Sequence, residues 1–312
     1  MTAGSTAPAI VADGLSKTYP GASIGAVDGL DLEVPSGVVY CLLGRNGAGK
    51  STTIRMLTTL LPPTGGDARV LGIPLGEVRQ LRPLIGVALQ EVALDPWLGA
   101  GEQLEFGLAM AGWPRARRRR RTAELIDRFG LGAVRDKRIG TLSGGMRRRV
   151  DVALAVSHDP HLLFLDEPSS GLDIEGKDEL WQMISGLRGE GRTVLLTTHD
   201  MEEAVALADR VGIIKAGRLI ASGPAAELTR ASGARARLDS AGPVPEDAIA
   251  GLRASGFRVT DAGPDAVTIT LPTATAREIA RLTEALTRAG LADAHLRVET
   301  SSLRDVFLEA TR

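Results

Sequence analysis

Residues 30–34 alternate apolar and polar (Leu30, Asp31, Leu32, Glu33, Val34), as a strand with one buried face should. Residues 38–43, Val-Val-Tyr-Cys-Leu-Leu, are almost wholly apolar, which fits a strand covered on both faces. A glycine-rich turn follows, then a helical stretch over 51–61 that Pro62 and Pro63 are expected to stop. Two more apolar runs, 162–165 (Leu-Leu-Phe-Leu) and 193–198 (Thr-Val-Leu-Leu-Thr-Thr), read as further buried strands. Apolar strands separated by helical stretches predict a largely parallel α/β sheet. Residues 95–157 carry helical pieces and no strand run, so they read as a helical insertion.

From about Ala225 the pattern changes, with Gly233, Gly242, Pro243 and Pro245 as punctuation. Residues 234–238 and 258–260 can form strands, and 266–271 (Ala-Val-Thr-Ile-Thr-Leu) has period two. Residues 276–289 place Ile279, Leu282 and Leu286 on one helix face, with Gly290 at the end. A strand over 295–298 and a helix over 302–310 complete a small α+β domain of order β-α-β-β-α-β plus a final helix. The expected division is 1–229, with a helical subdomain over about 95–157, and 230–312.

Composition changes this picture little. Apolar residues make up 44% of the 312 and charged residues 24%, so the chain is not mainly disordered. No run approaches the roughly 18–20 apolar residues that span a bilayer, and Met1 to Ala9 lacks the pattern of a signal peptide. The expected place is therefore the cytoplasm, with any membrane role requiring a partner. The net charge of −1 gives no global attraction to nucleic acid or anionic lipid. The lone Cys41, inside an apolar run, reads as a core thiol. Six of the seven residues from Arg115 to Arg121 are arginine. Without interleaved aromatics in a helical segment, they read as a solvated face rather than a nucleic-acid site.

Three stretches carry chemistry. Gly44, Arg45, Asn46, Gly47, Ala48, Gly49, Lys50, Ser51 and Thr52 fit the G-x-x-x-x-G-K-[ST] phosphate loop, between an expected strand and helix. Its backbone N–H groups and helix N-terminus suit phosphate oxygens, Lys50 can reach the β/γ-phosphates, and Ser51 can ligate Mg²⁺. Asp166 ends an apolar strand, where the Mg²⁺ carboxylate of such a site belongs, and Glu167 beside it can orient or deprotonate water. Ser143, followed by Gly144 and Gly145, is a good N-cap for a helix able to receive an anion. His158, His161 and His295 fit no metal pattern.

Together these residues resemble the nucleotide-binding subunits of ATP-binding-cassette (ABC) transporters. Gly44–Thr52 is similar to Walker A, residues 162–167 to Walker B and residues 142–146 to the signature. Gln90 resembles the Q-loop, Ser170-Gly171-Leu172-Asp173 the D-loop, His199 the switch histidine and Tyr19 the aromatic that stacks on adenine. The resemblance covers roughly residues 8–229. Met146 stands where the signature usually has Gln, and Arg45 where Pro is common. The Met-Arg-Arg-Arg run at 146–149 and the tail at 300–308 are similar to daunorubicin-resistance-type drug exporters.

The resemblance implies ATP hydrolysis with Mg²⁺. Glu167, His199 and Gln90 would be catalytic. Tyr19, residues 44–52, Ser143, Gly144, Gly145 and Asp173 would contact the nucleotide, and Ser51, Gln90 and Asp166 the metal. It implies a second, identical ATP-binding subunit, so that each site joins the phosphate loop of one chain to the signature of the other. It further implies a separate polytopic permease at the cytoplasmic face of the membrane, gripped near Asp95, Pro96 and Trp97, and export of drugs or other hydrophobic compounds. The alternatives are the ATPase of an importer or other membrane complex, or a soluble ABC ATPase acting on DNA or ribosomes. Ser143 lies only 93 positions after Lys50, too close for the long coiled coils of DNA-repair relatives. Nucleic acid is not an expected partner.

Overall fold

The computed structural model describes residues 7–231, 234–240, 242–263, 266–272, 275–291, 293–300 and 302–311. Residues 1–6, Gly233 and Ser301, used above, lie outside the described residues. The chain divides into two compact units, Met1–Ser222 and Gly223–Arg312.

In the first unit the strands are β1 (Ile10–Lys17), β2 (Val27–Val34), β3 (Val39–Leu43), β4 (Gly65–Val70), β5 (Ile73–Pro74), β6 (Ile85–Ala88), β7 (Leu162–Asp166), β8 (Thr193–Thr198) and β9 (Arg210–Lys215); β10 (Arg218–Pro224) runs across the boundary. The helices are α1 (Lys50–Leu57), α2 (Val78–Leu81), α3 (Ala100–Met110), α4 (Arg115–Arg128), α5 (Gly144–Ala155), α6 (Ile174–Gly189) and α7 (Met201–Leu207). A sheet of order β10-β9-β3-β8-β7-β6 carries the site, and its pairs from β9 to β6 are parallel. Strands β3, β7 and β8 bury every residue, including Asp166 and the three threonines of β8, as strands covered on both faces do. An antiparallel sheet of order β2-β1-β4-β5 supplies a second layer. Leu15, Leu30, Tyr40, Leu42, Ile54 and Phe164 share a core, each side chain contributing on the order of 1.5–3 kcal/mol on burial. Cys41, between Tyr40 and Leu42 on β3, is fully buried, and burial raises its thiol well above the usual range, so it stays protonated.

The helix after the glycine-rich turn ends earlier than expected. It stops at Leu57, not at residue 61, because Thr59 is left-handed at φ 61°. Thr59 N–H donates to the Met56 carbonyl and Leu60 N–H to that of Arg55, a Schellman closure completed before the prolines are reached.

Helices α3, α4 and α5 lie between β6 and β7, joined by turns and short 3-10 segments. Helix α5 packs closely on β6: a Cβ at Gly86 would come within 2.0 Å of the Ala155 carbonyl oxygen, so only glycine fits there. The arginine run opens α4 but is not solvated throughout. Arg120 is exposed and pairs with Glu124, whereas Arg121 donates to the Val156 and Ser157 carbonyls beyond α5.

The second unit contains α8 (Ala225–Ala231), β11 (Ala234–Asp239), α9 (Glu246–Ala254), β12 (Arg258–Ala262), β13 (Ala266–Leu271), α10 (Ala276–Arg288), β14 (His295–Thr300) and α11 (Leu303–Thr311). Its sheet is antiparallel, of order β12-β13-β11-β14, so β11 to β14 form a ferredoxin-like β-α-β-β-α-β unit. Ala236, Leu238, Val267 and Ile269 face Leu252 of α9 and Leu282 and Leu286 of α10 in its core.

Candidate active site

Four loops leave the carboxyl ends of parallel strands and hold the residues of interest. Gly44–Gly49 follow β3, Gln90 follows β6, Glu167 follows β7 and His199 follows β8. The carboxyl edge of an open α/β sheet is where ligands bind.

Between β3 and α1 the chain turns back within six residues. Gly49 adopts φ 107°, and a Cβ there would lie 2.4 Å from the Ala26 carbonyl oxygen, so glycine is obligatory. Helix α1 has no side-chain cap and no acidic residue in its first turn. Its first amide groups are therefore open to an anion. Lys50 is only 4% exposed. Its Nζ donates to the Gly44 carbonyl (2.9 Å) and the Arg45 carbonyl (3.2 Å) and pairs with Glu167 Oε1 at 3.0 Å. Arg45, Asn46 and Gly47 are exposed, and Arg45 enters this network through its backbone oxygen. Tyr19 lies at the same loop, its hydroxyl 3.4 Å from Thr52 Oγ1 and its ring partly exposed.

Asp166 is buried, and its Oδ1 accepts from Ser51 Oγ (3.1 Å) and Thr197 Oγ1 (2.5 Å). Its Oδ2 is buried without a hydrogen-bond partner among the described residues. A carboxylate oxygen left over beside a serine hydroxyl fits a hard divalent cation.

Glu167 has φ 46°, a left-handed backbone rarely adopted by a side chain of this kind. The turn swings its carboxylate out of the strand line and over the phosphate loop. Thr197 holds the bend, because both its carbonyl and its hydroxyl accept from Glu167 N–H. Glu167 Oε2 then lies 3.1 Å from His199 Nδ1 and 3.5 Å from Gln90 Nε2. One carboxylate thus joins the phosphate-loop lysine, the histidine after β8 and the glutamine after β6.

Ser143 caps α5, accepting from Met146 N–H at 3.2 Å. Gly144 lines a cleft of about 340 Å³ with Gln90, Glu167 and Leu172. Among the described residues no hydrogen bond joins Ser143, Gly144 or Gly145 to the phosphate loop. Asp173 also stands apart from it: its carboxylate caps α6 through Gly176 N–H at 2.9 Å. Trp97 is 74% exposed, so it is not a packing residue in this chain.

Two contributors escaped sequence reasoning. Thr197 lay inside an apolar run, and its polar hydroxyl in a buried strand was the available signal. Arg148 lay inside an arginine run. It is 4% exposed and pairs with Asp151 at 3.0 Å, and the i,i+3 spacing of opposite charges was the signal. Burial raises the Asp151 carboxyl to about 6 against the opposing pull of Arg148, and burial also draws the guanidinium down.

The ABC transporter family model matches residues 27–170. The chain is 50% identical over 226 residues to the daunorubicin/doxorubicin resistance ATP-binding protein DrrA of Streptomyces peucetius, covering 72% of this chain and 68% of that one. It is 38% identical over 218 residues to the linearmycin resistance ATP-binding protein LnrL of Bacillus subtilis, covering 70% of each. Among solved structures, the ATP-binding cassette MJ0796, a dimer in a post-hydrolysis state bound to ADP and Pi, matches with TM-score 0.64 and 26% identity. That match covers 69% of this chain and 98% of the cassette. The chain belongs to the ABC transporter family and is one of its ATP-binding, ATP-hydrolysing cassettes.

Proposed function

We propose that this ATPase powers the export of drugs or other hydrophobic compounds through a separate membrane subunit, working as a pair of identical chains. The observation that carries the chemistry is the Glu167 carboxylate, held at 3.0 Å from Lys50 Nζ and 3.1 Å from His199 Nδ1. The substrate class is supported by the relatives, which confer resistance to daunorubicin, doxorubicin and linearmycin.

In this reading the γ-phosphate takes Lys50 from Glu167, and the freed carboxylate accepts a proton from the attacking water. The P–O bond to ADP breaks as the new bond to that water forms. His199 donates toward the transferring phosphoryl group, and Tyr19 stacks on the adenine. Ser51, Asp166 and Gln90 would hold Mg²⁺, which neutralises charge on the phosphate oxygens. Most of the rate comes from position and charge, which is why four strand ends converge. The exposed N-terminus of α5, with Ser143 and Gly144, would close on the nucleotide of the second chain. No helix among the described residues is long and apolar enough to cross a membrane. Exposed Trp97, Phe106 and Met110 offer apolar area to a permease.

The test is a tagged Glu167→Gln chain, held with ATP and Mg²⁺ in its host and purified from solubilised membranes. A polytopic membrane protein should come with it, and less of that protein when Trp97→Ala is added. Recovery of ribosomal or DNA-bound partners alone would overturn the transporter reading.

A further inference from the structure

Arg148 makes more contacts than a buried ion pair requires. Its Nε donates to the Pro168 carbonyl (2.9 Å) and its Nη2 to the Asp166 carbonyl (2.8 Å). Its Nη1 donates to the Leu89 carbonyl (2.5 Å) and to Asp151 Oδ2 (3.0 Å). The acceptors follow a pattern: Asp166 and Pro168 flank Glu167 in the chain, and Leu89 precedes Gln90. The guanidinium therefore holds the backbone on both sides of the hydrolytic carboxylate and next to the glutamine that touches it. The arginine itself is fixed to α5, the helix that begins at Ser143 and lies against β6 at Gly86.

Only a planar fork with N–H groups on three nitrogens can serve these acceptors at once; a lysine ammonium is a point donor on a flexible stem. Asp151 balances the charge and, one turn along the same helix, orients the fork. The buried pair is a poor device for stability alone, since desolvation offsets much of its attraction. Its geometry instead specifies the relative position of three segments.

We infer that Arg148 is a positioning residue for hydrolysis: it locks the Gln90 and Glu167 segments to the signature helix, so that the position of α5 sets the catalytic carboxylate. Engagement of Ser143 and Gly144 by nucleotide on the second chain is thereby felt at this chain's own Glu167. The inference rests on the reading of Glu167 as the group that activates water.

Arg148→Ala would strand the Asp151 carboxylate and could unfold the protein, so two other variants carry the test. Arg148→Lys keeps the charge and loses the fork. Arg148→Gln with Asp151→Asn replaces the pair by neutral hydrogen-bonding groups. Thermal midpoint, fluorescent-ATP affinity and ATPase kcat and KM are measured for both, with Glu167→Gln alongside. The expected result is a folded protein, ATP affinity and KM within about twofold of wild type, and kcat lowered about tenfold or more. A kcat within about twofold of wild type in the folded double variant would overturn the inference. So would a loss of kcat that only follows a loss of folded protein or of ATP binding. Near-normal hydrolysis by Glu167→Gln would overturn the water-activation reading itself, and the inference with it; loss there combined with normal Arg148 variants would overturn the inference alone.

Discussion

Glu167→Gln will bind ATP at least as tightly as the wild type and lose about 10²–10⁴-fold in steady-state hydrolysis. The substitution keeps the size and hydrogen-bonding reach of a side chain that is 7% exposed. It replaces the carboxylate, which can take a proton from water, by an amide oxygen too weakly basic to do so. It also removes the charge that pairs with Lys50 at 3.0 Å, so the lysine no longer has to leave a carboxylate to meet a phosphate. Affinity should therefore stay level or rise while turnover falls. Filter binding of labelled ATP and a phosphate-release assay separate the two effects. Hydrolysis retained within about tenfold would remove Glu167 from the role of general base.

The second large effect comes from mixing two inactive chains. Lys50→Ala removes the cation at the phosphate loop. Gly144→Asp places a carboxylate at the N-terminus of α5, where an added Cβ meets nothing within 4 Å, so the fold is spared. Each variant alone should lack hydrolysis, because in the proposed pair of identical chains both sites carry the defect. In a mixed dimer the two defects fall on one site, and the other combines an intact Lys50 with an intact Gly144. Random mixing should then restore about a quarter of wild-type activity, since half of the dimers are mixed and half of their sites are whole. Differential tags allow the mixed dimer to be isolated and assayed by itself. If each chain completed its own site, mixing would restore nothing.

The parallel sheet was legible in the sequence because fully buried strands leave largely apolar runs, as in residues 39–43, 162–165 and 194–196. The phosphate loop was legible because Gly49 and Lys50 meet steric and electrostatic demands that few other residues satisfy. The small second sheet showed itself through the period-two pattern of 266–271 and the amphipathic face of α10. The end of α1 was not legible. Thr59 is left-handed in spite of its branched side chain, and nothing local signals that conformation. Arg148 was hidden by its neighbours, since an arginine run looks like surface until the fold buries one member. Thr197 was hidden among leucines for the opposite reason. Asp173 was singled out by resemblance alone; within one chain its carboxylate caps α6.

In the proposed function, ATP turnover at this site drives drugs out of the cell. The most direct measurement uses inverted membrane vesicles containing the chain and the membrane subunit recovered with Glu167→Gln. Uptake of a fluorescent anthracycline is followed with ATP and Mg²⁺, with Lys50→Ala vesicles as the control. Wild-type vesicles should accumulate the anthracycline in an ATP-dependent way, and the control vesicles should not. Vesicles that hydrolyse ATP at the Lys50-dependent rate yet move no anthracycline or other hydrophobic drug inward would contradict the proposed function.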